Sequence, residues 1–267
     1  MSPESLLERA REVVEAPLAP PAHPEWLGPG WEGIRGIGRF VDHTLLAPTA
    51  ARADVLRLCD EAVRFGAAAV CVNGRWAALC ARRLEGSGVR PAVVVGFPLG
   101  AMHPEVTAGE AARAVADGAA ELDLVLPLGL LKAGEWEQAG DELRRVIAAA
   151  GGVPVKAILE TAALTPLEAA AAALLARDAG ARWVKTSTGF HPAGGATTAM
   201  VALLRRAVGC EAGVKASGGI RTAEDALRLL AAGADRLGTS RAVAMAEVMG
   251  EAAPPLGELL APYLGAA

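Results

Sequence analysis

Lysine is rare in this chain, and its placement points to chemistry. The sequence contains 26 lysine and arginine residues, but lysine occurs at only four positions, 132, 156, 185 and 215. Lys156, Lys185 and Lys215 each lie inside a short apolar segment, where a charged side chain is seldom buried without a partner or a purpose. A primary amine can lose its proton and attack a carbonyl carbon, whereas a guanidinium cannot. These three lysines are therefore candidate nucleophiles.

One aspartate accompanies the three lysines. Asp123 lies between two leucines in an apolar segment that precedes the segment of Lys156. If these segments are successive strands of one barrel, the four side chains converge at one end of it. A carboxylate among amines can anchor charge and transfer protons, and we expect mutual repulsion of the amines to lower a lysine pKa. A buried lysine–aspartate network without any reaction is the alternative interpretation.

The elements that carry these residues repeat along the chain. Short segments rich in Val, Ile and Leu alternate with amphipathic helical patterns, and they lack the polar–apolar alternation of half-exposed strands. Such segments are typical of strands buried on both faces of a parallel sheet. The predicted strands are Ile37–Asp42, Ala68–Asn73, Ala92–Phe97, Glu121–Leu126, Pro154–Glu160, Trp183–Ser187, Val214–Ser217 and Asp235–Thr239. The clearest predicted helices are Ala53–Arg64, Leu143–Ala149, Pro166–Ala179 and Ala223–Ala231.

Eight strands that alternate with helices favour an α/β fold of the (β/α)8 TIM barrel type. The pattern alone leaves an open, doubly wound sheet as the alternative. The start of the chain falls outside the repeat, with a helical pattern over Ser2–Val14 followed by a segment rich in Pro and Gly. We predict an N-terminal helical extension over residues 1–34 that packs on the barrel or on a neighbouring subunit. The catalytic barrel is predicted over residues 35–267.

Charge and hydropathy exclude several classes of protein. The net charge is −4 and the basic residues are dispersed, so there is no surface suited to nucleic acid. Neither a secretory signal nor an apolar segment long enough to cross a membrane is evident. We expect a cytoplasmic protein that binds a small molecule, with no nucleic-acid or membrane partner.

Glycine-containing segments follow the last three predicted strands and suggest what that small molecule carries. These segments are Ser187-Thr188-Gly189, Ser217-Gly218-Gly219 and Gly238-Thr239-Ser240. Barrels commonly bind phosphate on the loops after strands seven and eight, where backbone N–H groups act as donors. Arg221 and Arg241 supply nearby cations. A phosphorylated ligand is therefore predicted.

Two segments of the chain resemble the signatures of a known enzyme family. Trp183–Phe190 and Gly213–Arg221 are similar to the lysine motifs of deoxyribose-phosphate aldolases, and the resemblance covers about residues 38–245. It implies a class I aldolase on a (β/α)8 barrel that reversibly cleaves 2-deoxy-D-ribose 5-phosphate into acetaldehyde and D-glyceraldehyde 3-phosphate. The sequence departs from the family at Gly74, where Pro is usual, and at Arg241, where a smaller residue is frequent.

The resemblance also implies roles for individual residues. Lys185 matches the Schiff-base lysine, Lys215 the second lysine that assists it, and Asp123 the aspartate of the proton relay. Lys156 and Asp42 are supporting residues. The implied phosphate-binding residues are Gly189, Gly218, Gly219, Arg221, Gly238 and Ser240. No metal ion or organic cofactor is implied, and we expect a homodimer or a homotetramer.

Two other functions are consistent with the same residues. The chain could be a Schiff-base lyase for a different phosphorylated sugar, or a barrel that binds a phosphosugar without reaction. Three further side chains are weaker candidates. We interpret His43 as a structural hydrogen-bonding residue and Tyr263 as a packing or solvent-facing residue, and His191, on the loop after Gly189, could contact a substrate.

Overall fold

A closed parallel barrel forms the centre of the molecule. The computed structural model describes residues 2–17 and 24–264. Within them, eight strands pair in chain order and the last pairs with the first. They are β1 Val41–Leu45, β2 Ala69–Val72, β3 Arg90–Val95, β4 Glu121–Val125, β5 Val155–Ile158, β6 Trp183–Lys185, β7 Gly213–Ser217 and β8 Arg236–Thr239. The predicted (β/α)8 TIM barrel is confirmed and the open sheet is excluded.

Helices cover the outer face of the barrel. They are α1 Pro3–Glu15, α2 Arg52–Arg64, α3 Ala77–Arg83, α4 Pro104–Ala116, α5 Leu128–Ala133, α6 Trp136–Ala149, α7 Pro166–Asp178, α8 Thr198–Val208, α9 Ala223–Ala231, α10 Ala242–Val248 and α11 Leu256–Leu260. Thr165 and Thr222 form capping boxes at the starts of α7 and α9, each accepting a hydrogen bond from a backbone N–H of the first turn. None of the helices in the described ranges could cross a membrane.

Several predicted boundaries are wrong by one to three residues, including the end of β5, which stops at Ile158 rather than Glu160, and two are wrong by four or more. The first strand begins at Val41 rather than Ile37, because Gly38–Phe40 forms a 3₁₀ turn. In that turn a Cβ on Gly38 would lie 2.1 Å from the backbone oxygen of Phe65, so the glycine permits a close backbone approach. Helix α6 begins at Trp136 rather than Leu143. Gly140 disfavours a helix locally, but tertiary packing outweighs that propensity.

The N-terminal extension packs on the barrel's own helices. Helix α1 lies against α7 and α8, with Leu6 and Ala10 buried in the contact. In α7 the alanines at positions 169–173 are all buried, so other parts of the molecule cover this segment on every side of the helix. Small side chains let helix axes approach closely, which explains why this segment of α7 is almost pure alanine. The indole of Trp26 then donates a hydrogen bond of 3.1 Å to the backbone oxygen of Leu230.

Candidate active site

Three amines share one carboxylate inside the barrel. Asp123 lies on β4, and Lys156, Lys185 and Lys215 lie on β5, β6 and β7. Asp123 Oδ1 accepts a hydrogen bond of 2.8 Å from Lys156 Nζ. Asp123 Oδ2 accepts bonds of 2.8 Å from Lys185 Nζ and 2.6 Å from Lys215 Nζ. All four side chains are buried. The predicted convergence of these residues is confirmed.

A second carboxylate extends the cluster to β1 and β8. Asp42 accepts hydrogen bonds from Lys215 Nζ and, at 2.7 Å, from Arg236 Nη1. Lys156 Nζ lies 3.3 Å from Asp42 Oδ2. Asp42 is therefore a second acceptor for Lys215 besides Asp123, and the expected supporting role of Lys156 and Asp42 has a geometric basis.

Glu121 joins the cluster towards the start of the strands. Its carboxylate lies 2.5 Å from Lys156 Nζ and 3.5 Å from Arg236 Nη1. Arg90, with half of its side chain in solvent, approaches Glu121 from outside at 3.1 Å. The ionic network thus runs from Lys185 down the barrel to its opposite rim.

The charge balance of this network bears on the chemistry it can perform. Among the described residues, the buried members are three carboxylates and four cations: Asp42, Glu121, Asp123, Lys156, Lys185, Lys215 and Arg236. Full ionisation leaves one positive charge in excess, and the loss of one proton makes the buried set neutral. An uncompensated charge is costly in a dry interior. The network can therefore accommodate one neutral amine, which is the state that a nucleophile requires.

The pKa values of the carboxylates reflect the surrounding cations. Burial disfavours the charged form of Asp123, but the attraction of Lys156, Lys185 and Lys215 is larger and holds its pKa well below the usual range. Asp42 behaves in the same way: burial opposes its charge, and the neighbouring cations outweigh burial and lower its pKa. Both side chains are consequently ionised acceptors at neutral pH.

The expectation of a lowered lysine pKa is wrong for Lys215 and Lys156. Burial alone would lower the pKa of Lys215, but the charges of Asp123 and Asp42 outweigh burial and raise it. The pKa of Lys156 is raised for the same reason, with Glu121 contributing as well. The cations repel one another, but their attraction to the carboxylates that lie between them is stronger.

Three predicted phosphate-binding glycines lie on the loops after β6 and β7. Gly189, Gly218 and Gly219 have φ values of 82°, 84° and 80°, a left-handed conformation that glycine adopts freely. A Cβ on Gly189 would lie 3.7 Å from the Cα of Gly218, so the two loops touch at this point. Backbone without side chains from two loops therefore meets at the place where the resemblance implies a phosphate site.

The other predicted phosphate-binding residues do not share the contact that joins Gly189 to Gly218. Gly238 lies within β8, and a Cβ there would lie 3.0 Å from Lys215 Cε. Its missing side chain therefore makes room for Lys215. Arg221 and Ser240 are exposed. Thr239 Oγ1 donates a hydrogen bond of 2.9 Å to the backbone oxygen of Ile220, which joins the two loops that carry them.

Sequence reasoning missed three members of the site. Arg236 and Glu121 were not predicted, and neither was Cys71, whose Sγ donates to Asp123 Oδ2 at 3.8 Å. Strand alternation could have identified two of them, because Glu121 precedes Asp123 by two positions and side chains two apart share a face. The same rule places Arg236 on the face of Gly238.

The weaker candidates have ordinary surroundings. His43 Nε2 lies 2.8 Å from Glu61 Oε2, as a structural hydrogen-bonding residue would. The ring of Tyr263 packs under the guanidinium of Arg228, 5.7 Å from it. His191 Nδ1 accepts a hydrogen bond of 3.2 Å from the backbone N–H of Ala193 in its own loop.

Comparison with known proteins identifies the family. A model of the DeoC/LacD aldolase family matches residues 39–251. The chain belongs to this family. Deoxyribose-phosphate aldolase from Streptococcus sanguinis (strain SK36) is 47% identical over 209 residues, covering 78% of this chain and 94% of that protein. The same enzyme from Corynebacterium diphtheriae is 49% identical over 217 residues, covering 80% of this chain and 97% of that protein.

A solved structure places the barrel in the same family. Deoxyribose phosphate aldolase from Aeropyrum pernix, described as tetrameric, superposes with a TM-score of 0.73 at 33% identity. The superposition covers 92% of this chain and 97% of the Aeropyrum chain. The resemblance stated from the lysine motifs is thus confirmed. The buried lysine–aspartate cluster lies in the barrel of a DeoC/LacD aldolase.

Proposed function

We propose that this aldolase reversibly cleaves 2-deoxy-D-ribose 5-phosphate into acetaldehyde and D-glyceraldehyde 3-phosphate through a Schiff base on Lys185. One observation carries the proposal: Lys185 Nζ donates to Asp123 at 2.8 Å while Lys215 donates to the same oxygen, in a buried cluster. The names of the relatives supply the substrate, since each is a deoxyribose-phosphate aldolase.

The first half of the reaction forms the covalent intermediate. Neutral Lys185 Nζ attacks C1 of the open-chain sugar, and the resulting carbinolamine loses water to give an iminium ion. The positive nitrogen then acts as an electron sink next to C2. Asp123 and Lys215 hold the amine in position and balance the charge that appears on it.

The second half breaks the carbon–carbon bond. Asp123, with Lys215 beside it, takes the proton of the C3 hydroxyl, and the C2–C3 bonding electrons move to the iminium. D-Glyceraldehyde 3-phosphate leaves, and an enamine stays on Lys185. Protonation of the enamine carbon followed by addition of water releases acetaldehyde and restores the free amine.

The phosphate group of the substrate is assigned to the loops after β6, β7 and β8. Backbone N–H groups around Gly189, Gly218 and Gly219 would donate to its oxygens, and such donors suit an anion. Arg221 and Ser240 would complete the site from the exposed side. Gly238 contributes indirectly, through the space it leaves for Lys215.

An assay of acetaldehyde release tests the proposal against its two rivals. We expect the wild type to turn over 2-deoxy-D-ribose 5-phosphate much faster than other sugar phosphates, and Lys185→Ala to abolish turnover. Preference for another sugar phosphate, lost in Lys185→Ala, would indicate a different Schiff-base lyase. Binding of the sugar without turnover would indicate a binding protein.

The oligomeric state and the domain boundaries of the protein are part of the same proposal. The tetrameric Aeropyrum relative supports a homodimer or homotetramer, and light scattering of the purified chain would measure the mass. We retain residues 1–34 as an extension and residues 35–267 as the catalytic barrel. The cytoplasmic location and the absence of a nucleic-acid partner stay predictions.

A further inference from the structure

Glu160 combines two unusual properties at the mouth of the barrel. Its backbone is left-handed, with φ 56° and ψ 55°, and in the described chain it is the one residue other than glycine with a positive φ. Such a conformation is disfavoured for a residue with a Cβ and persists where surrounding structure requires it. The side chain is also buried, with 4% of the residue exposed.

The carboxylate of Glu160 accepts hydrogen bonds from one residue, Thr188. It accepts a hydrogen bond of 2.5 Å from Thr188 Oγ1, and both of its oxygens lie 3.3 Å from the backbone N of Thr188. Among the described residues no ion pair involves this carboxylate. A buried carboxylate that is satisfied by a loop rather than by a cation suggests that holding the loop is its role.

The hydrogen bonds continue from Thr188 into the loop after β6. Thr188 Oγ1 accepts a bond of 3.0 Å from the backbone N of Phe190, so the threonine bridges Glu160 and the residue beyond Gly189. The backbone on each side of Gly189 is thereby fixed. Gly189 itself has φ 82° and meets Gly218 of the next loop.

We propose that Glu160 is a positioning residue that sets the β6–α8 loop, through Thr188, so that Gly189 and Gly218 form one anion-binding backbone surface. Glu160 does not touch the reacting atoms. The inference rests on the proposed function, which assigns the substrate phosphate to this surface. It predicts that Glu160 affects recognition of the phosphate more than the carbon–carbon chemistry.

Glu160→Gln tests this role with the least structural change. Glutamine keeps the size of the side chain but removes the negative charge and replaces one of the two acceptor oxygens that Thr188 contacts with an NH₂ donor. We expect the ratio of kcat/KM for 2-deoxy-D-ribose 5-phosphate to that for unphosphorylated 2-deoxy-D-ribose to fall about tenfold, mainly through KM for the phosphorylated sugar. Equal losses on both sugars, or an unchanged ratio, would overturn the proposal.

Variants of Thr188 separate positioning from a general loss of packing. Thr188→Val should lower the ratio to a similar extent, whereas Thr188→Ser, which keeps the hydroxyl, should retain it. The double variant Glu160→Gln/Thr188→Val should lower the ratio no further than the worse single variant, because both changes break the same hydrogen bond. Additive losses would contradict the proposed route. Glu137→Gln, at an exposed position in the first turn of α6, is the matched control and should leave the ratio unchanged.

A titration with inorganic phosphate decides the question independently of turnover. Calorimetry should show that Glu160→Gln binds phosphate about tenfold more weakly than the wild type. If the wild type fails to cleave the sugar, the proposed function fails while the titration still reports on Glu160. Phosphate affinity equal in the two proteins would reject the positioning role.

Discussion

The carboxylate of Asp123 is shared by three amines, and this sharing determines what each residue can do. Lys185 and Lys215 donate to the same oxygen, so a proton lost by one amine changes the charge seen by the other. Lys156 occupies the second oxygen and keeps the carboxylate from rotating. A fixed acceptor between two amines suits a reaction in which protons enter and leave repeatedly.

Removal of Lys215 should separate bond formation from bond cleavage. In Lys215→Met the amine of Lys185 remains, but its partner in proton transfer is gone. We expect kcat for 2-deoxy-D-ribose 5-phosphate to fall by about 10² to 10⁴, while reduction with borohydride still labels Lys185. Circular dichroism controls for folding. A kcat within about threefold of the wild type would remove Lys215 from the mechanism.

The depressed pKa of Asp42 should appear in the acid stability of the protein. A carboxyl whose folded pKa lies below its ordinary value of 3.8 stabilises the fold above that pH, and the contribution is lost as the pH falls towards the folded pKa. We expect the unfolding free energy of the wild type, from urea titrations, to drop steeply below pH 3.8. Asp42→Asn should be less stable at neutral pH by about 3 kcal/mol, with a shallower acid slope. If the wild type and Asp42→Asn showed the same dependence of stability on pH, the folded-state pKa of Asp42 would not be lowered.

The sequence identified the reactive residues because lysine was so unevenly used. It could not reveal the direction of the pKa shift at Lys215, because that depends on the combined charges of Asp123 and Asp42. Asp42 lies on β1 and reaches Lys215 only when the barrel closes. Arg236 escaped notice for the opposite reason. Arginine is the common cation of this chain, so its residue type did not distinguish the buried Arg236 from surface arginines. Only its position on β8, two residues before Gly238, indicated which way it faces.

The elements were predictable where local signals were strong. Helix α9 matches its predicted range, with Thr222 as its N-cap and acidic residues in its first turn. The start of α6 was missed because the burial of Trp136 and Gly140 depends on packing with other elements. The end of β5 could not be foreseen at all. No propensity predicts a glutamate in a left-handed conformation there.

Strand β8 offers a test of how an element supports the site. Gly238→Ala should place a methyl group 3.0 Å from Lys215 Cε, forcing that side chain to move. We expect a loss of about 1–3 kcal/mol in stability and a lower kcat. Gly129→Ala in α5, where a Cβ meets nothing within 4 Å, is the control. A raised KM with an unchanged kcat would instead assign Gly238 to the phosphate.

At the scale of the whole molecule, helix α1 attaches the N-terminal extension to the barrel. Leu6 is buried where α1 packs on α7 and α8. We expect Leu6→Ala to lower the unfolding free energy by about 2–3 kcal/mol, measured by denaturant titration. Glu8→Ala, on the exposed face of the same helix, should change it by less than about 0.5 kcal/mol. Equal small effects would mean that α1 adds nothing to the stability of the barrel.

The covalent bond to Lys185 can be tested directly. The purified chain would be treated with acetaldehyde and borohydride, digested, and its peptides analysed by mass spectrometry. We expect a reduced two-carbon adduct on the peptide that contains Lys185, and no adduct there in Lys185→Arg, whose guanidinium cannot form the imine. An adduct confined to Lys156 or Lys215, or the absence of any adduct in an active enzyme, would contradict the assignment.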